Sequence, residues 1–476
     1  MVFPIAGGNQ STAYEISNSL RFADGYLNRT TSTATSDKKL TLSFWLKNGG
    51  FGTDRKIIAK YADGNNRFYV DVSSAGNLRT NAVIGGTNSF TMITDRVLLD
   101  HSAWMHIVLA FDTTQGTAAN RIKIYVNGVQ ETSFSTETYP NQNLDLYWQT
   151  GTGTAGYVGY YRSGDTALGI GYLADVNFID GAQKEASDFG RTDNNGVWVP
   201  KKYIGTYGDE GFFLEFKQTG TSADASGKGA DTSGNTNHFD DNSMDATDVT
   251  TDTPNNNYCV LNPLTKRPAA NGTITESNME YEASTSDSSI FGTMGIPPGM
   301  KVYFEVKLVQ NTAQNSIGIH NLYDGGDGDF VKGGSEAGTY SLKTRGAANT
   351  TQYFNNGGTS NTSTNNYSAD TIIGVAIDNE NGQIHYHVNG TYLNNSDPTD
   401  NNPVALVTGF GGSNEQYLHF SLDTSGGTNP KNQFNFGNPV HSISSANADA
   451  NGHGSFEFAV PSGYFALNTK NLAEHG

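Results

Sequence analysis

The sequence predicts an all-β protein built from two tandem antiparallel β-sandwiches, and three observations carry that reading. Only 16% of the 476 residues are charged and 36% are hydrophobic, while Gly (56), Phe (25) and Tyr (24) are abundant. That balance suits strands joined by many turns better than amphipathic helices. Short runs alternate apolar and polar residues with a period of two and recur every ~10–20 residues, as sandwich strands do. A strand closed by Asn-Gly is written twice, RIKIYVNGVQ at 121–130 and QIHYHVNGTYL at 383–393. Ile122, Ile124 and Val126 share one face of the first copy, Ile384, Tyr386 and Val388 one face of the second, and each Asn-Gly supplies the φ > 0 turn of a tight hairpin.

Taken in order, KLTLSFWLKNG (39–49) alternates Leu40, Leu42, Phe44 and Leu46 with polar partners. KIIAKYA (56–62), RFYVDVS (67–73), WMHIVLAFD (104–112), LDLYWQT (144–150), AGYVGYY (155–161), LADVNFID (173–180) and GFFLEFK (211–217) continue the series of strands. GAQKEASDFG (181–190) reads as a single helical turn. From 218 to 262 the chain is rich in Asp, Thr, Ser, Gly and Asn with few apolar residues, so this segment is expected to be a linker or a set of long loops. Strands resume with MKVYFEVKL (300–308), NSIGIHNL (315–322), TYSLKT (339–344), TQYFNN (351–356), DTIIGVAIDNENGQIHYHVNG (370–390), YLHFSLD (417–423) and NQFNFGN (432–438). Length alone, at about 100–200 residues per domain, makes two domains the simplest count. The expected division is an N-terminal arm at 1–13, a first sandwich at 14–217, the polar segment at 218–262 and a second sandwich at 263–476.

The order SLRF…YL, LTLSFWLK, WMHIVLAFD, IKIYVNG and GYLADVNFIDG resembles the laminin-G-like, concanavalin-A-like lectin sandwiches. YFEV (303–306), SIGI (316–319), the run IIGVAIDNENGQIHYHVNG and the late NFG (435–437) resemble the SPRY family. The joint arrangement, including FIDGAQKEASDFGRTDNNGVWVPKKYIGTYGDEGFFLEF (178–216), DASGKG (224–229), DTPNNNYCVLNPL (252–264) and PSGYFALNTKNL (461–472), looks like tandem lectin-like and SPRY-like proteins of tailed bacteriophages. That resemblance implies a protein of the virion surface, in the tail-fibre, adhesin or decoration class.

Charge excludes one large class of partners. The 29 basic and 47 acidic residues leave a net charge of −18, which repels the phosphate backbone on average, so nucleic acid is not an expected partner. The single cysteine, Cys259, cannot form an internal disulfide, and MVFPIAGGNQ lacks the basic start and apolar run of a secretory signal. No apolar run reaches membrane-spanning length, so no membrane insertion is expected. Folding in the host cytoplasm before assembly onto the virion follows.

Glycoside cleavage needs paired carboxylates. Glu215 and Glu305 stand alone on their strands and read as solvated, no Gly-x-Ser-x-Gly elbow sits in a plausible triad, and the chain is expected not to be an enzyme. His385 and His387 share one strand face but lack a third ligand for Zn²⁺. Asp324, Asp327 and Asp329 in YDGGDGDF form the candidate metal site, and Ca²⁺ is the ion such an oxygen-rich loop suits. DASGKGADTSGN (224–235) invites the same reading. No cofactor is otherwise implied. Sugar binding needs aromatic faces beside polar groups, and the densest such text gives the candidate ligand-binding residues Tyr147, Trp148, Tyr160, Tyr161, Arg162 and Asp165. Trp45 and Trp104, within apolar strands, are assigned to the core. The expected partners are other virion proteins, a host cell-surface glycan and further copies of the chain, a trimer being the common choice in the resembled class. The competing readings are a head or tail decoration protein with no host ligand, and a glycan-degrading tailspike, against which the missing carboxylate pair speaks.

Overall fold

The computed structural model describes residues 14–162, 169–266, 272–283, 288–311, 314–320, 338–344, 351–355, 358–363, 367–400, 407–408, 410, 415–423 and 429–476. They form two antiparallel β-sandwiches in tandem.

In the first sandwich one sheet runs Val129–Gln130, Ile122–Val126, Met105–Asp112, Lys39–Asn48, Gly171–Asp180, Ser19–Phe22 and Val249–Thr250, with Phe212–Leu214 also on Gly171–Asp180. The facing sheet runs Phe134–Thr138, Thr87–Val97, Asn77–Ile84, Asn66–Val72, Arg55–Asp63, Ala155–Val158, Tyr26–Thr30 and Asp240–Asn242. Leu40, Leu42, Phe44 and Leu46 point inward from one sheet and Ile58, Phe68, Val70, Phe90 and Met92 belong to the same core. The period-two pattern is thus the inside–outside alternation of the pleat. In the second sandwich Lys301–Gln310, Thr371–Asp378, Gln383–Val388 and Lys431–Asn435 form the centre of one sheet, and Ser288–Ile296, Gln416–Asp423, Gln314–His320 and Thr339–Thr344 lie in the other. Val302, Phe304, Val306, Ile373, Val375, Ile384, Tyr386 and Phe420 fill the space between.

The repeated Asn-Gly hairpin is one device used twice. Asn127 and Gly128 have φ of 48° and 78°, Asn389 and Gly390 47° and 84°, the left-handed pair of a two-residue hairpin turn. Asn127 Oδ1 accepts from His106 N at 2.8 Å and its N–H donates to His106 O. Asn389 does the same with Ile372. Each Asn therefore stitches its turn to the next strand. An aromatic ring closes over each Gly: a Cβ on Gly128 would lie 2.4 Å from Trp198, and one on Gly390 2.9 Å from Phe458.

The polar segment 218–262 runs as long loops laid against the sandwiches rather than as a free tether. Asp240–Asn242 pairs with Tyr26–Thr30, Val249–Thr250 pairs with Ser19–Phe22, Phe239 and Met244 enter the first core, and Cys259, Val260 and Leu261 enter the second. Of the two acids in the 224–235 loop, Asp224 accepts from Ser226 N and Oγ, and Asp231 accepts from Phe213 N, Ser233 N and Oγ, and Asn237 N at 2.8–2.9 Å. Protein donors occupy both carboxylates.

Buried ion pairs tie the polar segment to the first sandwich where the two halves meet, and hydrogen bonds from Arg21, Lys47 and Ser277 cross the seam. Lys47 and Asp252 meet at 2.7 Å, and Lys47 Nζ also donates to Asn257 Oδ1 and Tyr258 O. Asp252 accepts from Trp104 Nε1 as well. Arg21 reaches Asp248 at 3.0 Å, Thr247 O and, in the second half, Pro439 O. Ser277 Oγ donates to Phe22 O.

Two further expectations are corrected. LDLYWQT is not a strand: Tyr147–Thr150 is a single helical turn. Adjacent Tyr147 and Trp148 are both buried there, which a pleated strand between core and solvent does not allow. Glu305 is not solvated but fully buried, because a neighbouring layer covers its strand. It accepts from Tyr303 OH, Asn435 Nδ2, Glu457 N and Phe458 N at 2.8–3.1 Å.

Candidate functional site

The outer face of the second sheet of the first sandwich carries the exposed aromatic and charged groups that suit ligand binding. Strand register sets one row across it: Asn28 opposite Tyr157, Tyr157 opposite Ala59, Ala59 opposite Tyr69, and Tyr69 opposite Asn81. Tyr61, two residues from Ala59, shares that face. Gly159 then turns the chain at φ 80°, where a Cβ would strike the Phe22 ring at 2.3 Å, and brings residues 160–162 back over the sheet.

Two ring clusters result. Tyr26 stacks on Tyr160 with centroids 4.1 Å apart, and Tyr157 meets both edge-on. Tyr161 meets Tyr61 at 5.1 Å and Tyr69 at 5.6 Å, both edge-on. Arg162 lies 5.6 Å from the Tyr61 ring centre and 5.7 Å from that of Tyr161, and Lys56 Nζ lies 4.6 Å from that of Tyr69. Beneath them Lys56 and Arg79 share the buried carboxylate of Asp71, and Arg79 also pairs with Asp54 at 2.5 Å. Burial pushes the Asp54 carboxyl up, but the Arg79 guanidinium, the Ser74 N–H and Lys56 outweigh it and hold the group below the usual carboxylate range. Burial pushes the Tyr161 hydroxyl up to about 12, so it remains a donor at neutral pH. Half-exposed tyrosines over a fixed cationic and anionic base offer apolar faces and hydroxyl partners side by side.

The residues expected from sequence divide sharply. Tyr161 and Arg162 join this face, whereas Tyr160 stacks on Tyr26 beside it but is itself buried. Tyr147 and Trp148 do not: Trp148 is 0% exposed and packs on Phe68 and Phe178 in the core. Asp165, and Asp324, Asp327 and Asp329 of the metal loop, lie outside the described residues. Tyr26, Tyr61, Tyr69 and Tyr157 were missed. The signal for Tyr61 and Tyr69 was present in the outward positions of KIIAKYA and RFYVDVS. Trp45 and Trp104 are buried, but in a separate cluster with Ile16 and Tyr172 outside the main core.

His385 and His387 do not form a metal site. His387 Nδ1 accepts from Gly390 N at 3.1 Å, which leaves Nε2 to donate to Tyr303 OH at 2.8 Å; that hydroxyl donates to Glu305. Burial holds the His387 imidazole down at about 4. Among the described residues no group of three His, Cys, Asp or Glu side chains is placed to hold a metal ion, and no helix is long and apolar enough to cross a membrane.

Residues 22–187 match the model of the Concanavalin A-like lectin/glucanases superfamily, and residues 301–423 match the SPRY domain model. Those two stretches thus match, in tandem, a concanavalin-A-like, laminin-G-type sandwich and a SPRY domain. No curated protein matches it. Among solved structures it is similar to a heptameric SAP-like pentraxin of Limulus polyphemus (16% identity, TM-score 0.28, covering 36% of this chain and 80% of that one). It is also similar to the SPRY domain of human HERC1 (11%, 0.27, 38% and 99%) and to a candidate carbohydrate-binding protein of Bacteroides ovatus ATCC 8483 (15%, 0.32, 50% and 60%). Likenesses this distant carry no functional conclusion.

Proposed function

We propose that this protein is a non-enzymatic bacteriophage virion surface protein of the tail-fibre or adhesin class that binds a host-surface glycan through its lectin-like sandwich. The carrying observation is the outer-sheet cluster of Tyr61, Tyr69, Tyr161 and Arg162 over the Lys56–Asp71–Arg79 base. The lectin-superfamily match of the same domain supports it. Display on the particle surface, contact with other virion proteins and assembly as a homotrimer rest on the resemblance of the tandem arrangement to tailed-phage proteins.

The test is a glycan array probed with the purified full chain, followed by calorimetry on any hit. Tyr161→Ala and Tyr69→Ala should each weaken binding at least tenfold with the unfolding temperature nearly unchanged. A hit that both variants bind like the parent would refute the site. Immunogold labelling of phage particles tests the location, and label absent from particles refutes the virion reading. A decoration protein with no host ligand is the second reading. It draws on exposed aliphatic residues of the first sandwich, Val129 (62%), Val197 (56%) and Ile204 (92%), which offer apolar area to another virion protein.

A further inference from the structure

A cleft of about 390 Å³ opens where the two domains meet, with Gly50, Phe51 and Arg55 on the first side and Lys266, Thr273 and Asn278 on the second. Its two cations have no acidic partner among the described residues. Arg55 donates from Nε to Gly169 O at 2.8 Å and from Nη1 to Thr53 O at 3.2 Å; Lys266 Nζ donates to Gly272 O at 2.8 Å. All three acceptors are neutral carbonyls. Asp54, the chain neighbour of Arg55, is taken by Arg79 and Lys56. Burial draws both the Arg55 guanidinium and the Lys266 ammonium below their ordinary ranges, and no carboxylate among the described residues opposes it.

The chain builds this arrangement at some cost. Gly50 makes room for it, since a Cβ there would stand 2.8 Å from Arg55 Nη2. Partly desolvated cations without counter-ions are unfavourable, and in a chain of 47 acidic and 29 basic residues a carboxylate partner would be easy to supply. Phe51 is 45% exposed and stacks on His101 with centroids 5.8 Å apart, so an apolar ring face borders the same cleft. The volume falls in the range of roughly 300–1,000 Å³ typical of small-ligand sites.

We propose that this interdomain cleft binds an acidic sugar, with Arg55 and Lys266 receiving its carboxylate or sulfate, Phe51 lying against the ring and Thr273 and Asn278 meeting hydroxyls. The sugar part rests on the glycan reading above, whereas the anion part stands on the cleft itself.

Calorimetry on the full-length protein with trigalacturonate, the neutral trisaccharide maltotriose and inorganic sulfate tests it. Trigalacturonate should bind, more weakly as salt rises. Arg55→Gln and Lys266→Gln should each lower its affinity about tenfold or more, and Arg55→Lys should retain part of it. Unfolding temperatures of all variants identify any that fail to fold, and a misfolded Gln variant is replaced by the same comparison with Phe51→Ala. Sulfate binding as tight as trigalacturonate, lost in the same variants, keeps the anion site and overturns the sugar. Trigalacturonate binding lost in Tyr161→Ala but not in the Arg55 or Lys266 variants overturns the cleft and leaves the sheet-face glycan site standing. No binding of either anion at low salt overturns the proposal outright.

Discussion

Lys60 provides a sharp test of how the first sandwich is packed. Its side chain is fully buried on the core side of its strand, where Nζ donates to Thr31 Oγ1 and Trp148 O, both at 2.6 Å. A neutral amine, with two N–H groups, can make both bonds. Burial draws the Lys60 amine down to about 7, against the attraction of Glu210 and with Arg29 adding to the fall. In the unfolded chain it returns to ~10.4. Between these values the unfolded state binds more protons, so stability rises with pH by up to ~1.4 kcal/mol per unit from this group, whereas below pH 7 the full cost is present and constant. Over pH 7–10 the gain is ~3–4 kcal/mol. Lys60→Met abolishes the titration and leaves Trp148 O unsatisfied, a loss of ~1–3 kcal/mol. The variant should therefore be more stable than the parent at pH 7 and less stable at pH 10. All four tryptophans, Trp45, Trp104, Trp148 and Trp198, lie in this sandwich, so urea titrations read by their fluorescence at stepped pH report the right unit. Parallel stabilities of parent and variant from pH 7 to 10 would show that Lys60 keeps its charge in the fold, and would refute the desolvation argument.

Trp148→Ala should cost about 3–5 kcal/mol as a core cavity and lower the unfolding temperature steeply, in contrast to Tyr161→Ala; thermal denaturation by circular dichroism compares them. Lys47→Met, which strands the Asp252 carboxylate in the interface, should cost about 3–5 kcal/mol, and Lys47→Met with Asp252→Leu should recover much of it, measured as a double-mutant cycle in urea. Gly128→Ala and Gly390→Ala should each lose about 1–2 kcal/mol from the left-handed backbone alone, with Gly128→Ala the worse because its ring neighbour is nearer; differential scanning calorimetry orders them.

Much of the fold could be read from the chain because its determinants are local. Alternation over residues 39–49 and 300–308 fixes which side chains enter a core, and Asn-Gly fixes where a hairpin turns. Tyr147 and Trp148 were misplaced for the same reason: a seven-residue run that alternates leucine with polar residues looks like a strand until the burial of neighbours reveals a helical turn. Aromatic density along the chain found Tyr161 and Arg162, but the face they complete is assembled across strands. Tyr69 sits opposite Ala59, and Ala59 opposite Tyr157, a register that no single stretch of sequence displays. Glu305 and Lys47 look like solvated strand residues because nothing in their own segment announces the layer that covers them.

The covering layer explains the placing of two acids in the polar segment. Arg21 and Lys47 lie on the outer side of the first sandwich, where burial by a second domain would leave each without water or partner. Asp248 and Asp252, two of the acids in the 218–262 stretch, arrive at those two cations. A segment too poor in apolar residues to fold alone thus supplies the charges that let two hydrophobic sandwiches meet through a polar seam. Because these pairs are buried, they stabilise little beyond their desolvation cost but penalise any other registration of the halves. The seam fixes the geometry of the cleft beside it. Arg55 and Lys266 are brought together by the docking in which Lys47, Arg21 and Ser277 take part, so loosening the seam with Lys47→Met should weaken anion binding at Arg55 and Lys266 without touching either residue.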